Sequence, residues 1–515
     1  MKSQTINRRD FLRLSGVGAA AIFSGGLSSL LNACSDSIQA AVLPAYADGS
    51  FTPDLELALQ AVPAEVSILS GQQTRVWRYQ GEVLRGDENA LLAIPNFYLG
   101  PIIRTQRGQK VRIHFTNELS EPSIIHWHGL HVPEAADGHP RLAIDPGGTY
   151  TYEFTVADRA GTYWFHPHPH GRTGPQVYAG LAGLFIVSDE QEQALGLPSD
   201  EYDIPLVIQD RLFDGDNQLV YGGNGMMDQM MDFLGNRLLI NGQADFNLSV
   251  ASRPYRLRLL NGSNSRIYKL GWENGMPLTV IGTDGGLLER PVEKNYITLA
   301  PAQRLELWVD FSNLSVGDQL RLVNLPSAVP DGVAFPVMDV DVTHEESLSL
   351  ALPERLSMLT PHDEAQAVNR NKPREFALAM GMGMIWTLNG RTFSMEDVAS
   401  DEIVKLGDLE IWQFSNQAGG GMGMMSGMAL PHPMHVHGLQ FQILEREIDS
   451  AYRSAWETLS EGFIDEGWHD TVLVTPGERV KILLKFEDFE GLYLYHCHNL
   501  EHEDMGMMRN YRVEA

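Results

Sequence analysis

Three segments of the chain repeat one pattern, and the repeat limits the folds that the chain can adopt. Each is a strand-like run that stops at an asparagine, in residues 111–117, 255–261 and 409–416. Asn117, Asn261 and Asn416 are separated by the size of one domain, which indicates an internal repeat. Breaks in composition between the repeats predict three domains, at residues 50–190, 200–345 and 372–515.

Composition predicts an all-β fold for these domains. The 49 glycines and 27 prolines separate short runs that are rich in Val, Ile, Thr, Phe and Tyr, and long helical periodicity is scarce. We therefore expect all-β sandwich domains. A net charge of −28 argues against nucleic acid and anionic membranes as partners.

The N-terminus has the features of an export signal. Arg8 and Arg9 precede a modestly apolar, small-residue-rich run, which predicts a twin-arginine signal over residues 1–47 and a periplasmic protein. Ala45 and Ala47 form an A-x-A cleavage site, and Cys34 offers lipid attachment as the alternative. Beyond the signal no apolar stretch approaches membrane length, so we expect no transmembrane segment in the mature chain.

Histidines are the strongest sign of chemistry. Residues i and i+2 of a strand point to the same side, so a His-x-His pair on a strand offers two imidazoles to one site. Imidazole is a favoured ligand of Cu, Zn, Fe and Ni. Four such pairs occur, two in each outer domain: His126/His128, His166/His168, His435/His437 and His496/His498. The middle domain has none and is interpreted as a spacer.

Cys497 lies between the members of the last pair. Cleavage after Ala47 would leave it as the lone cysteine of an exported chain, without a disulfide partner. If His496 and His498 face one way, Cys497 faces the other, and this strand then serves two metal sites.

A second group of metal ligands forms around that cysteine. His432, Cys497 and His502 with Met507 make a His₂Cys set and a thioether, the ligands of a blue-copper electron-transfer site. Zinc competes for such residues, but structural zinc prefers several cysteines.

These motifs resemble those of multicopper oxidases, including three-domain bacterial laccases, copper-efflux oxidases and bilirubin oxidase. The motifs are His126-Trp-His-Gly129, Trp164-Phe-His-Pro-His168, His432-Pro-Met-His-Val-His-Gly438 and His496-Cys-His-Asn-Leu-Glu-His502 with Met507. The resemblance implies an all-β fold of three consecutive cupredoxin-like Greek-key β-sandwich domains. It also implies four copper ions, one of type 1, one of type 2 and two of type 3. It implies His432, Cys497, His502 and Met507 as type 1 ligands and His126 and His435 as type 2 ligands. It implies these type 3 ligands: His128, His166, His168, His437, His496 and His498.

The resemblance also implies a reaction. A reductant delivers electrons singly at the type 1 site, and Cys497 passes them to a trinuclear cluster that reduces O₂ to two waters. Asp137 and Glu503 match acidic positions that carry protons in related copper-efflux oxidases, and solvated carboxylates are the alternative interpretation. Asp470 is interpreted as a structural hydrogen-bonding carboxylate.

The substrate stays open between two classes. A laccase-like oxidase would take phenols or aromatic amines, whereas a cuprous oxidase would take Cu(I) and protect the cell envelope from copper. Thioethers bind Cu(I), and Met422, Met424, Met425 and Met428 lie in a glycine-rich segment before His432. A copper-free scaffold is a third alternative, which the complete ligand set disfavours. We expect a monomer.

Overall fold

A computed structural model describes residues 50–93, 98–222, 231–346, 348, 350–381, 385–416 and 430–515. The predicted export signal and the methionine-rich segment 422–428 lie outside the described residues. Within the described ranges, no helix has both the length and the apolar character that crossing a membrane requires.

The strands of the described chain fall into three consecutive segments, residues 55–188, 203–344 and 374–514, which we call the first, middle and last thirds. Each third forms two β-sheets, which confirms the all-β prediction. In spatial order, one sheet of the first third contains the strands Thr74–Arg85, Leu55–Val66, Lys110–Asn117 and Thr149–Thr155. The other contains Leu91–Leu92, Ile102–Gln106, Gly183–Ser188, Gly161–Pro167 and Ile125–His128. One sheet of the middle third contains Gln243–Ala244, Arg237–Ile240, Asp203–Arg211, Pro254–Asn261, Arg304–Asp310, Leu278–Thr283 and Gly286–Lys294. The other contains Asn247–Ala251, Phe335–His344, Gln319–Asn324, Tyr268–Trp272 and Ile297–Leu299. One sheet of the last third contains Trp386–Leu388, Arg374–Met380, Leu409–Asn416, Glu478–Lys485 and Phe441–Ile448. The other contains Ile403–Lys405, Met508–Glu514, Gly491–Cys497, His432–Val436 and Thr471–Val474.

Helices in the described residues are short. The α-helices are Thr173–Ala179, Glu190–Ala194, Arg453–Trp456 and Leu500–Asp504. Single 3₁₀ turns are Glu88–Ala90, Glu134–Ala136, Pro140–Leu142, Asp200–Tyr202, Glu364–Gln366, Ser400–Glu402 and Ser460–Gly462.

The repeated asparagines occupy equivalent places in the three thirds. Each ends a strand that pairs in parallel with one neighbour and antiparallel with another. Each side-chain amide is buried and donates to two backbone carbonyls: Asn117 to Glu121 and Ile144, Asn261 to Arg266 and Leu299, and Asn416 to Leu430 and Val474. Such bonds satisfy loop carbonyls that burial would otherwise leave unpaired. The sequence repeat is therefore a structural repeat.

A buried apolar core lies between the sheets of each third, and each core contains a tryptophan. Trp127 packs in the first core, Trp272 in the second and Trp412 in the third. The third core also includes Cys497 and Met507, so two of the predicted type 1 ligands are shielded from water.

Candidate metal centre

Paired strands in the outer thirds place histidines opposite one another. Strand Ile125–His128 pairs antiparallel with Gly161–Pro167, which sets His126 opposite His166. In the last third, His435 of strand His432–Val436 lies opposite His496 of strand Gly491–Cys497. All eight histidines of the four pairs are buried, and the rings from the two thirds meet where these strands face each other.

Two sets of three imidazoles converge at this meeting point. In the first set, His166 Nε2 lies 3.3 Å from His128 Nδ1 and 3.4 Å from His498 Nε2.

The second set has the same form. His496 Nε2 lies 3.3 Å from His168 Nε2 and 3.0 Å from His437 Nε2. The remaining imidazole pair joins His126 Nε2 to His435 Nε2 at 3.3 Å.

The cysteine site lies on the other side of strand Gly491–Cys497. Cys497 Sγ lies 3.4 Å from His432 Nδ1 and 3.8 Å from His502 Nδ1, and the two nitrogens are 3.2 Å apart. The Trp386 ring packs on both imidazoles, with centroids 4.7 Å from His432 and 4.5 Å from His502. Met507 is fully buried in the same core. Its axial role stays a prediction.

These distances fit metal ions. Metal–imidazole bonds of about 2 Å place two ligands of one ion roughly 3–4 Å apart. Ligand imidazoles must also be neutral. Burial lowers the pKa of His166, His432 and His435 to about 3 and that of His496 to about 4. Burial raises the pKa of the Cys497 thiol, and a metal cation would favour its thiolate.

Asp137 orients two of the imidazoles from outside. Its carbonyl oxygen accepts a 2.6 Å hydrogen bond from His126 Nδ1, and its Oδ2 accepts a 2.8 Å bond from His437 Nδ1. Such bonds fix which ring nitrogen is free for a metal. Burial raises the pKa of this carboxyl well above its usual range.

Glu503 approaches the second set. Its Oε2 lies 3.2 Å from His496 Nδ1, and its Oε1 lies 3.5 Å from His168 Nε2. Burial raises the pKa of this carboxyl well above its usual range, and Asp504 adds to the shift. Both predicted acidic residues therefore lie beside predicted ligands.

Asp232 is a residue near the site that sequence reasoning missed. Its Oδ1 lies 3.9 Å from Nε2 of His502 and accepts a hydrogen bond from Asn499. Burial raises the pKa of Asp232 to about 7, and Glu501 adds to the shift. This residue belongs to the middle third, which was interpreted as a spacer, and no motif marks it.

The geometry brings together two neighbouring groups of residues that could hold metal ions and that share one strand. Family models of multicopper oxidases match residues 74–192 and 352–515. Multicopper oxidase mco of Staphylococcus aureus is 33% identical over 432 residues, which cover 84% of this chain and 86% of that protein. A laccase of Bacillus subtilis is 30% identical over 492 residues, which cover 85% and 90%. The crystal structure of McoA multicopper oxidase from Aquifex aeolicus is 37% identical, with a TM-score of 0.76 over 90% of this chain and 97% of that one.

The chain belongs to the multicopper oxidase family and is an oxidoreductase. The family implies copper as the metal.

Proposed function

We propose that this enzyme couples four one-electron oxidations of a small reducing substrate to the reduction of O₂ to two waters. The observation that carries the proposal is the convergence of eight imidazoles between the outer thirds, one peptide bond away from the cysteine site. The cysteine site would hold type 1 copper, the imidazole pair type 2 copper and the two imidazole sets the type 3 coppers. When bound, these ions supply the one-electron and O₂ chemistry.

Strand Gly491–Cys497 would connect the two regions. His496 belongs to the second set and His498 to the first, and both are covalently bonded to Cys497. A covalent link of this kind holds the two regions at a constant separation, so the substrate and O₂ need not meet.

Asp137 and Glu503 would supply protons. Each is a buried carboxyl beside the second set, Asp137 at His437 and Glu503 at His496. A positioned carboxyl group can transfer protons in the transition state.

The substrate would approach the outer edge of the cysteine site. Among the described residues, Nε2 of His432 and Nε2 of His502 have no hydrogen-bond partner. Asp232 lies beside the latter, where its carboxylate could accept a proton from a phenol or attract an aromatic amine. We therefore favour laccase-like oxidation of phenols and aromatic amines. The cuprous alternative rests on the methionines of segment 422–428.

Oxygen uptake by the copper-loaded enzyme would test the substrate class. A stabilised Cu(I) complex and a methoxyphenol are compared, before and after replacing Met422, Met424, Met425 and Met428 by leucine. A preference for the phenol that survives these replacements, but weakens in Asp232→Asn, supports the laccase proposal. A much higher kcat/KM for Cu(I) that falls with the methionines supports the alternative. Exposed Met358, replaced by leucine, is the control.

Export by the twin-arginine route to the periplasm is also a proposal, based on Arg8 and Arg9. Replacing both by lysine should retain the precursor in the cytoplasm on cell fractionation. The length of the mature N-terminus, measured by mass spectrometry, would distinguish cleavage after Ala47 from lipidation of Cys34.

A further inference from the structure

One buried arginine joins all three thirds of the molecule. Arg304 begins strand Arg304–Asp310 in the middle third, and its side chain is fully buried. A guanidinium has five N–H donors and keeps its charge, so burying it is costly unless every donor finds an acceptor.

All five donors of Arg304 are used. Nε donates to the carbonyl of Thr162 at 2.9 Å, and Nη1 donates to the carbonyl of Ala302 at 3.0 Å. Nη2 donates to the carbonyl of Asp284 at 3.1 Å. The two remaining N–H groups form a bidentate pair with the Asp470 carboxylate, where Nη1 lies 2.8 Å from Oδ1. The acceptors come from the first, middle and last thirds, so this side chain fixes one point common to all three.

The backbone beside Arg304 is strained in a way that serves this arrangement. Ala302 is buried and has φ of +71°, the left-handed region that a residue with a Cβ rarely adopts. That conformation costs roughly 1 kcal/mol or more for a residue other than glycine. It aims the Ala302 carbonyl at Arg304, and strain of this kind persists only where the surroundings enforce it.

Asp470 carries the contact on to two predicted copper ligands. Its Oδ1 accepts a 3.0 Å hydrogen bond from His128 Nε2, and its backbone oxygen accepts a 2.8 Å bond from His435 Nδ1. The opposite nitrogens of these rings, His128 Nδ1 and His435 Nε2, are the ones that face the first set and the imidazole pair. Arg304 therefore contacts Asp470, and Asp470 in turn contacts one ring of the first set, His128, and one ring of the imidazole pair, His435.

We propose that Arg304 is a positioning residue of the trinuclear cluster, which locks Asp470 and so fixes the ring orientation of His128 and His435. The middle third, which holds none of the predicted ligands, would in this way set the geometry of the oxygen-reducing site. The inference rests on the proposed assignment of these histidines to that cluster.

Copper-loaded Arg304→Lys tests the proposal. Lysine keeps the charge but cannot form the bidentate pair or make five bonds. Loss of the hydrogen-bond partner that orients a metal-ligating histidine typically costs 10- to 100-fold in metal affinity or activity. We therefore expect the affinity for type 2 copper, or kcat, to fall by about 10- to 100-fold. The type 2 electron paramagnetic resonance signal should change or vanish, while the blue absorption of the type 1 site stays as in the wild type.

Arg258→Lys is the matched control. Arg258 is equally buried between the first and middle thirds and also bonds Thr162, but its carboxylate partners Asp203, Glu306 and Glu192 are not Asp470. An unchanged type 2 signal in Arg304→Lys, or an equal change in Arg258→Lys, overturns the proposal.

Asp470→Asn decides the case in which Arg304→Lys does not fold. The side chain keeps its volume but presents an amide N–H₂ to the guanidinium, so the type 2 signal should again change. If that signal is unchanged, the proposal is wrong. A wild-type enzyme that lacks type 2 and type 3 signals would instead contradict the proposed function, and the two failures are therefore distinguishable.

Discussion

Glu503 brings a carboxyl group to the edge of the second imidazole set, 3.2 Å from His496 Nδ1. We expect Glu503→Gln to slow turnover by about 10²-fold, because the amide cannot transfer a proton. The blue absorption should remain, since the cysteine site is not altered. Steady-state O₂ uptake and the visible spectrum measure both effects.

Glu490→Gln, at an exposed position, is the control and should turn over normally. Normal turnover in Glu503→Gln itself would remove this carboxyl from the proposed proton path.

His139 predicts a dependence of stability on pH. It is buried, with Nε2 donating to Asn510 and Nδ1 accepting from the Arg141 backbone, and burial lowers its pKa from 6.5 to about 4. Between these two pH values the unfolded chain binds a proton that the folded chain does not. The stabilisation of the folded chain that depends on neutral His139 is therefore fully present above pH 6.5. This part of the free energy of unfolding is lost as the pH falls to about 4.

His139→Gln keeps a donor for Asn510 but does not titrate. In copper-free protein, denaturant unfolding above pH 6.5 and near pH 4 should show a loss of stability that is smaller in the variant than in the wild type. The difference should reach up to about 3 kcal/mol. Equal losses would show that His139 is protonated in the folded state.

At the scale of elements, helix Leu500–Asp504 follows His498 and carries His502. The middle third holds one side of it, because Ser265 and Asn264 donate to Glu501. The first third holds the other side, through the backbone N–H groups of Thr173 and Gly174, which donate to Asp504. The position of the cysteine site is therefore set by contacts from both other thirds.

Ser265→Ala removes one donor from the buried Glu501 carboxyl. The loss of a hydrogen bond to a buried group costs about 1–3 kcal/mol, so the midpoint of thermal unfolding of a chain this long should fall by about 1–3 °C. Ser199→Ala removes an exposed hydroxyl that bonds neighbouring Asp200 and should have little effect. Equal midpoints for the two variants, measured by calorimetry, would contradict this role of the helix.

The parts of the site that are local in the chain can be predicted from the sequence. The two-residue spacing of His126 and His128 places both rings on one side of a strand, and the rings lie 5.6 Å apart. Which nitrogen each ring turns inward could not be predicted. His128 faces its set through Nδ1 because Asp470, which is distant in the chain, occupies its Nε2.

The middle third shows the same limit. Its interpretation as a spacer followed from its lack of paired histidines, yet Arg304 and Asp232 reach the predicted ligands and their neighbours from it. Neither lies in a recognisable motif. Their positions depend on how the three thirds dock, and a single sequence carries no periodic signal for docking.

For the whole molecule, the imidazoles that come from both outer thirds predict that copper stabilises the docking of those thirds. A ligand that binds only the folded state adds about 2.7 kcal/mol at a concentration 100 times its Kd. Copper removal by a chelator should therefore lower the midpoint of thermal unfolding. Hydrogen exchange should increase in strands Ile125–His128 and His432–Val436, which face each other across the site.

Strand Pro254–Asn261, in the middle of the sheet that carries Arg304, is the internal reference and should keep its protection. Adding copper back should restore protection in Ile125–His128 and His432–Val436, because the neutral imidazoles of the folded chain can bind copper again. Equal deprotection of all three strands would mean that copper stabilises the molecule uniformly, whereas no change in the outer strands would show that protein contacts alone hold the thirds together. Only selective deprotection, reversed by copper, supports a cluster that bridges the first and last thirds.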